Sequence, residues 1–249
     1  MSAPLRVVRD GDVVRLMLDR PDKGNALAPD LVEALIAAIS AAAHDGTRLL
    51  VIAGAGKHLC TGFDLGGLES LSDGDLLLRM VRIETLLQAL YDAPCVTVAI
   101  GTGRVTGAGA DIFTACDRRL AVDGSAYTFP GAGFGILLGT GRLAARVGAD
   151  AARDILRSGQ VLSADAAVRA GLATEAVSSA DVETRIAIHA ESARRLDGET
   201  VGAIHAVTRR AAADTDLAAL VRSASRPGLK DRILAYRART LGERQKGTA

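Results

Sequence analysis

Apolar positions along the first hundred residues follow two periods, which predict a series of strands and helices. Short apolar runs that contain β-branched residues occupy residues 13–18, 49–53 and 95–100, and each run predicts a strand. Between them, apolar residues recur every three to four positions over residues 29–43 and 74–91, the period of a helix that is buried on one face. The chain therefore begins as alternating strands and helices, a pattern typical of an α/β fold.

The second half of the chain continues with shorter elements and then becomes helical. Strands are predicted at residues 119–122, 127–129 and 174–177, and helices at residues 149–158, 164–170 and 181–196. From Glu199 onward the pattern is helical and more charged. We therefore predict an α/β domain over residues 1–195, followed by a helical region over residues 196–249.

Composition narrows the classes of protein to which the chain can belong. A chain of 249 residues, 49% of them hydrophobic, can bury the core of one large domain, or of one domain with a small appendage. Its net charge of +1 and its 3% aromatic content, without tryptophan, argue against a nucleic-acid-binding surface. The three cysteines lack C-x-x-C spacing, which argues against a disulfide framework or a structural zinc site.

Neither a signal peptide nor a membrane span is expected from the sequence. The N-terminal residues carry no apolar signal core, and no apolar run approaches the ~18 residues of a transmembrane helix. We therefore expect a soluble, cytoplasmic protein with neither a nucleic acid nor a membrane as its partner.

The most distinctive feature is a glycine-rich turn that follows the predicted strand at residues 95–100. Residues 101–109 contain four glycines, and Asp111 stands one helical turn into the apolar segment that comes next. A strand, a glycine turn and a helix N-terminus in this order expose backbone N–H groups at the positive end of a helix dipole. Such a turn can hold negative charge, either a phosphate group or an oxyanion that forms during a reaction.

A phosphate at this turn would imply nucleotide binding. The spacing T-G-x-x-x-G-x-G at residues 102–109 resembles the cofactor turn of short-chain dehydrogenases. However, the turn lies far from the N-terminus, none of the three tyrosines has a lysine four residues later, and no acidic residue ends a following strand where the ribose would bind. The Gly-Lys-Ser/Thr of a P-loop is also missing, so the oxyanion hypothesis is the stronger one.

Five motifs, which occur in order over nearly the whole chain, resemble those of the enoyl-CoA hydratase/isomerase (crotonase) superfamily. They are RPDKGNAL at residues 20–27, GKHLCTGFDL at residues 56–65, GTGRVTGAGADI at residues 101–112, GQVLSADAAVRAGLATEAV at residues 159–177 and LKDRILAYRAR at residues 229–239. The resemblance implies a spiral core of ββα turns and an α-helical C-terminal region that forms trimers, often paired into hexamers. It also implies an acyl-CoA thioester as the substrate.

The resemblance further implies roles for individual residues. The backbone N–H groups of Phe63 and Ala108 would form an oxyanion hole for the thioester carbonyl. Asp111, three residues after Ala108, would be the catalytic acid or base. The residues that would line the CoA and acyl groups are Lys23, Ala26, Leu27, Lys57, Gly62, Asp64, Leu65, Gly107 and Gly131. We expect no metal, and no cofactor other than the CoA of the substrate.

One departure from the family's pattern bears directly on the reaction. The hydratase pattern has a second acid, a glutamate, at the position of Gly131, and residues 124–149 contain no Asp or Glu at all. Hydration needs a base for water and an acid for the α-carbon, so Asp111 would have to serve as both. Three possibilities stay open: a hydratase or isomerase that relies on Asp111, a decarboxylase or hydrolase of the same fold, and a CoA-binding homologue with weak catalysis.

Overall fold

The computed structural model describes residues 3–209 and 213–246, and these ranges contain nine strands and ten α-helices. The strands are β1 (Leu5–Asp10), β2 (Val13–Leu18), β3 (Leu49–Gly54), β4 (Val96–Gly101), β5 (Arg104–Thr106), β6 (Arg118–Val122), β7 (Ala126–Thr128), β8 (Leu162–Ser163) and β9 (Glu175–Val177). The helices are α1 (Pro29–Ala42), α2 (Asp73–Tyr91), α3 (Ala108–Ala115), α4 (Thr140–Val147), α5 (Ala149–Ser158), α6 (Ala164–Arg169), α7 (Val182–Ala193), α8 (Gly198–Thr208), α9 (Ala213–Ala224) and α10 (Leu229–Lys246).

The strands form two sheets, between which the chain passes repeatedly. Six strands make the larger sheet in the order β1-β2-β3-β4-β6-β9, in which only the β1–β2 pair is antiparallel. The smaller sheet has the order β5-β7-β8, with β5 parallel to β7. Consecutive strands β4 and β5 therefore lie in different sheets, as do β6 and β7. This alternation agrees with the spiral of ββα turns that the motifs implied.

The middle of the larger sheet is buried on both faces, which explains the uninterrupted apolar run in β3. Leu50 and Ile52 belong to the main core, together with residues of α1 and α2. Leu49 and Val51 point to the other face and pack in a second cluster with Ile186 of α7. Strands that are covered on both faces read as continuous apolar runs rather than as alternation.

Most predicted elements are present, and the missed ones have identifiable causes. The strand at residues 13–18 and the helix at residues 149–158 match the prediction. Strand β1 was missed because it is an edge strand with an exposed, charged sequence, in which Val7 is 53% and Val8 47% exposed. The glycine turn predicted at residues 101–109 contains a short strand, β5. Helix α4 was missed because it begins inside a glycine-rich segment. The predicted boundary near residue 195 falls between α7 and α8 and stays a prediction.

The C-terminal helix α10 packs back onto the α/β core, where it helps to form the site. The carboxylate of Asp73, at the start of α2, accepts hydrogen bonds from the N–H groups of Leu229 (3.0 Å) and Lys230 (2.8 Å) and so caps α10. Arg232 donates to the carbonyl of Phe134 at 2.9 Å, which fixes α10 over residues 130–134. Within the described ranges, no helix combines the length and the apolar composition that a membrane crossing requires.

Candidate active site

The turn at residues 60–64 lies directly against the turn that precedes α3. A Cβ atom added at Gly62 would stand 2.7 Å from the carbonyl oxygen of Thr106 and 3.5 Å from the nitrogen of Ala108. A Cβ atom added at Gly109 would stand 2.3 Å from the carbonyl oxygen of Cys60. The backbones can approach this closely only because both positions are glycine, and Gly62 also has a φ of +95°.

This contact brings together two backbone N–H groups that have no acceptor among the described residues. The two neighbours of Phe63 pair with Leu27. The N–H of Leu27 donates to the carbonyl of Gly62 (2.8 Å), and the N–H of Asp64 donates to the carbonyl of Leu27 (3.3 Å). The N–H of Phe63 therefore lies on the other side of the turn. Ala108 is the first residue of α3, where an N–H group has no intrahelical partner. Among the described residues, no backbone carbonyl accepts a hydrogen bond from either group.

Both turns open into a cavity of about 240 Å³, which we call the central cavity. Its wall is mostly apolar and is built from several helices and from the 130–134 turn. The apolar lining comprises Phe63, Leu65, Met80, Ile83, Phe129, Phe134, Ile136, Leu138, Leu156 and Ile233. Tyr236 of α10 closes one side, with its ring centroid 5.3 Å from that of Phe134. Such a cavity suits an apolar chain whose polar end meets the two turns.

Asp111 is the one acidic side chain among the described residues that line the central cavity. It is the fourth residue of α3 and is only 4% exposed, and its Oδ1 atom has no hydrogen-bond partner in the part of the chain that the structure describes. Burial raises the pKa of this carboxyl well above its ordinary value of 3.8, the positive charge of Arg142 lowers it, and the negative charge of Glu84 raises it again. An unpartnered, buried carboxyl in a cavity is a candidate acid–base group.

A buried ion pair, which sequence reasoning did not single out, acts on Asp111 from outside the lining of the central cavity. Arg142 of α4 donates to the carboxylate of Glu84 of α2 at 2.5 Å, and their side chains are 3% and 1% exposed. The sequence did carry a signal for Glu84, since it interrupts the apolar face of α2 between Met80 and Leu87. Charged residues are rarely buried unless they are paired, so an acid on an apolar face predicts an internal partner.

The structure brings some of the predicted binding residues to the central cavity and leaves others outside its lining. Gly62, Leu65, Gly107 and Gly131 line it together with Phe63, Ala108 and Asp111. Ala26 and Leu27 are buried beside the 60–64 turn, whereas Lys23 and Lys57 are exposed, and none of these four residues lines the cavity. Their roles toward CoA stay predictions.

Asp64 also lies outside the lining of the central cavity, and its carboxylate is already bonded within the protein. It accepts hydrogen bonds from Gly66 N–H and from Arg20, both at 2.8 Å. The first of these bonds comes from its own loop. The guanidinium of Arg79 holds the same turn from α2, because it lies 4.5 Å from the ring centroid of Phe63 and donates to the carbonyl of Asp64 at 2.8 Å.

The comparisons with known proteins agree with this fold. The chain matches the sequence profile of the enoyl-CoA hydratase/isomerase family over residues 9–226. It is 32% identical over 164 residues to the Mycobacterium tuberculosis protein named "Probable enoyl-CoA hydratase echA6", a match that covers 65% of this chain and 65% of that relative. The chain thus spans 65–66% of the length of these curated relatives, which is slightly less than two thirds.

Solved structures extend the similarity to almost the whole chain. A crystal structure of a Bordetella parapertussis protein assigned to enoyl-CoA hydratase/isomerase superposes with a TM-score of 0.94 at 45% identity, covering 95% of this chain and 99% of that one. An enoyl-CoA hydratase from Bacillus halodurans gives a TM-score of 0.83 at 21% identity, covering 93% and 99% of the two chains. The second likeness concerns the fold alone.

Proposed function

The chain belongs to the enoyl-CoA hydratase/isomerase family, and on that premise we propose that it acts on acyl-CoA thioesters by stabilising an enolate. The thioester carbonyl would accept hydrogen bonds from the N–H groups of Phe63 and Ala108, with the acyl chain in the central cavity. One observation carries the proposal: two backbone donors without an acceptor among the described residues open into the same cavity as a buried carboxyl whose Oδ1 atom has no partner there either. Donors aimed at a developing negative charge are the usual means of stabilising an enolate.

Asp111 would move the proton. The carboxylate of Asp111 can remove a proton from the α-carbon of the acyl chain, which gives the enolate, and the neutral Asp111 that results can donate that proton to another carbon of the chain. Burial keeps the pKa of Asp111 high, so the carboxylate is a stronger base than an exposed aspartate. One group that takes a proton from one carbon and returns it to another is sufficient for moving a double bond.

A single carboxyl favours isomerisation over hydration. Hydration needs a second group that activates water, and Asp111 is the one acidic side chain among the described residues of the lining. Gly131 stands where the family's hydratases carry their second acid, and it contributes no side chain to the cavity. We therefore place double-bond isomerisation of an enoyl-CoA first within the hydratase/isomerase activities.

The proposal extends to the CoA part of the substrate and to the setting of the protein. Lys23 and Lys57 are exposed beside the loops that lead to the 60–64 turn, where phosphate groups of CoA could meet them. No cofactor besides this CoA is required by the chemistry above. A cytoplasmic location fits a CoA thioester as the substrate.

A homotrimer or a dimer of trimers is the proposed assembly. Helix α8 supports it, because Ile204 is 44% and Val207 83% exposed on this apolar helix when the chain is considered alone. Exposed apolar side chains one helical turn apart are typical of an interface. Light scattering of the protein in solution measures the mass directly, and a monomeric mass would contradict this part of the proposal.

The activity is tested by turnover of a 3-enoyl-CoA and of crotonyl-CoA. We expect the wild type to convert the 3-enoyl thioester to the 2-enoyl thioester and to hydrate crotonyl-CoA slowly or not at all. Asp111→Asn should lower the isomerisation rate about 10²- to 10⁴-fold and still bind the thioester in a calorimeter. Asp165→Asn, on the exposed start of α6, is the matched control. The proposal would be refuted if the wild type and Asp111→Asn both bind the thioester and neither turns it over.

A second candidate function is acyl-CoA binding with little or no turnover. The tight packing of Asp111 favours it, since a Cβ atom at Gly139 would stand only 2.1 Å from Oδ1, so the carboxyl is held against backbone. Binding in the calorimeter without turnover of either enoyl thioester supports this candidate. Release of CO₂ or free acid from other acyl-CoA esters would instead identify a decarboxylase or a hydrolase of the same fold.

A further inference from the structure

The buried ion pair of Arg142 and Glu84 lies outside the lining of the central cavity that holds Asp111. Arg142 does not line the central cavity but lines a separate, more polar cavity of about 590 Å³. Gly139 stands three residues before it, at the start of the same helix, and is in close contact with the carboxyl of Asp111. Helix α4 therefore meets the carboxyl of Asp111 at the residue that precedes it, and the charge of Arg142, in its first turn, acts on the same carboxyl.

The two sides of this arrangement each have an unused polar atom. Among the described residues, Oδ1 of Asp111 is buried without a hydrogen-bond partner, and so is Nε of Arg142, as are the Nε atoms of Arg185, Arg209 and Arg232. Buried polar atoms are nearly always paired, so a buried carboxyl oxygen without a partner, beside a helix that carries a buried cation, requires an explanation. A negative charge that Asp111 carries during only part of a reaction cycle provides an explanation. While the carboxyl is protonated, it does not need a hydrogen-bond donor or a cation beside it.

We propose that Arg142 is a positioning residue for Asp111: its guanidinium, fixed by Glu84, stabilises the carboxylate that Asp111 becomes whenever it gives up its proton. This inference rests on the proposed function for its place in turnover. When Asp111 protonates the enolate, its O–H bond breaks, a C–H bond forms, and the negative charge passes from the enolate oxygen to Asp111. The charge then stands next to a cation that does not touch the substrate.

The surrounding charges determine the sign of the effect. Glu84 faces Asp111 from α2 and Arg142 faces it from α4, and both act on its ionisation. Asp216 of α9 lies 3.4 Å from the other Nη atom of Arg142. Arg146, one turn further along α4, donates to the carbonyls of Thr114 (3.2 Å) and Cys116 (3.1 Å) at the far end of α3. Removal of Glu84 or Arg142 should therefore shift the ionisation of Asp111, in opposite directions.

The test is the titration of Asp111 itself, followed by infrared absorption of its protonated carboxyl. The band is identified by its loss in Asp111→Asn. We expect Glu84→Gln to move the titration to lower pH and Arg142→Gln to move it to higher pH, each by about one pH unit or more. Arg146→Gln, which removes a cation of the same helix, should leave it in place. The pH profile of kcat/KM with an enoyl-CoA should move in the same directions.

The opposite signs separate this role from a structural one, because a loosened fold would move both titrations the same way. If Arg142→Gln does not fold, the double variant E84Q/R142Q replaces it, and it should titrate at higher pH than Glu84→Gln alone. Equal titrations in Glu84→Gln, the double variant and the wild type would overturn the proposal. The infrared titration needs no turnover, so it gives its answer even if the proposed activity fails.

Discussion

The carboxyl of Asp111 lies against the backbone of Gly139, so closely that a Cβ atom at position 139 would stand 2.1 Å from Oδ1 and 2.6 Å from Cγ. This contact fixes the one acidic side chain that lines the central cavity among the described residues. Gly139 also has a φ of +65° and precedes the first residue of α4. The position of the candidate acid therefore depends on a glycine that is remote from it in sequence.

Gly139→Ala should displace Asp111 and reduce turnover of an enoyl-CoA about 10²-fold, because a small misplacement of a reacting group has an effect of this size. The matched control is Gly148→Ala at the other end of α4. Gly148 has a φ of +84°, but a Cβ atom there would meet no atom within 4 Å. Both variants should lose stability to backbone strain, by about 1–2 kcal/mol at position 139 and about 1–3 kcal/mol at position 148, where φ is +84° and ψ is 156°. Denaturant unfolding measures both losses. Equal activities of the two variants would contradict the account.

Ala108→Pro tests the oxyanion hole by deleting one N–H group. Ala108 is the first residue of α3, a position where proline fits a helix and where the N–H has no intrahelical acceptor. We expect kcat to fall about 10²- to 10³-fold, the usual effect of losing one such donor. Ala149→Pro is the matched control, since Ala149 is the exposed first residue of α5 and also follows a glycine of positive φ. If both variants retain wild-type kcat, Ala108 is not a donor.

Gly131→Glu should add hydratase activity. A Cβ atom at Gly131 would stand 3.3 Å from the carbonyl oxygen of Ile136 and 4.0 Å from its Cβ atom, so a side chain can be accommodated with a small shift. The new carboxylate could activate water opposite Asp111, and we expect hydration of crotonyl-CoA to rise about tenfold or more. Gly131→Gln has the same size without the carboxylate and should show no gain. A gain of equal size in both variants would count against acid–base chemistry at this position.

Asp111 should make the stability of the protein depend on pH in a defined direction. Burial raises the pKa of its carboxyl above the ordinary value of 3.8, so between pH 3.8 and this raised pKa the folded protein holds a proton that the unfolded chain has released. Stability therefore falls as pH rises through this window, by up to about 1.4 kcal/mol per pH unit. Asp111→Asn removes this dependence, so it should be more stable than the wild type at pH 7 by denaturant unfolding. Its advantage should shrink toward pH 4, and a constant difference would contradict the raised pKa.

The sequence predicted the two glycine turns because their geometry is local. Glycines beside Phe63 and before Ala108 are required by close backbone contacts and by positive φ, and these requirements appear directly as residue type. The α/β class and most of the larger elements followed from apolar periodicity in the same way. The acid Asp111 was found through its place in a motif.

The surroundings of Asp111 could not be predicted, because they come from elements far apart in the chain. Gly139 and Arg142 approach from α4, which is hidden within a glycine-rich segment, and Glu84 approaches from α2. The contribution of α10 to the cavity wall, through Ile233 and Tyr236, likewise depends on tertiary packing. Motifs locate the reacting groups, whereas burial and neighbouring charges, which determine the pKa, depend on the folded arrangement.

The most direct test of the central claim is exchange of the α-hydrogen of a saturated acyl-CoA with solvent. Enolate formation by Asp111 beneath the Phe63 and Ala108 donors should place deuterium at the α-carbon in D₂O, whichever overall reaction the protein catalyses. Mass spectrometry of butyryl-CoA after incubation measures the exchange. We predict deuterium incorporation with the wild type and at least a hundredfold slower incorporation with Asp111→Asn, in line with the usual size of general acid–base catalysis, ~10²–10⁴. Binding of butyryl-CoA without exchange by the wild type, or equal exchange by both proteins, would contradict the account.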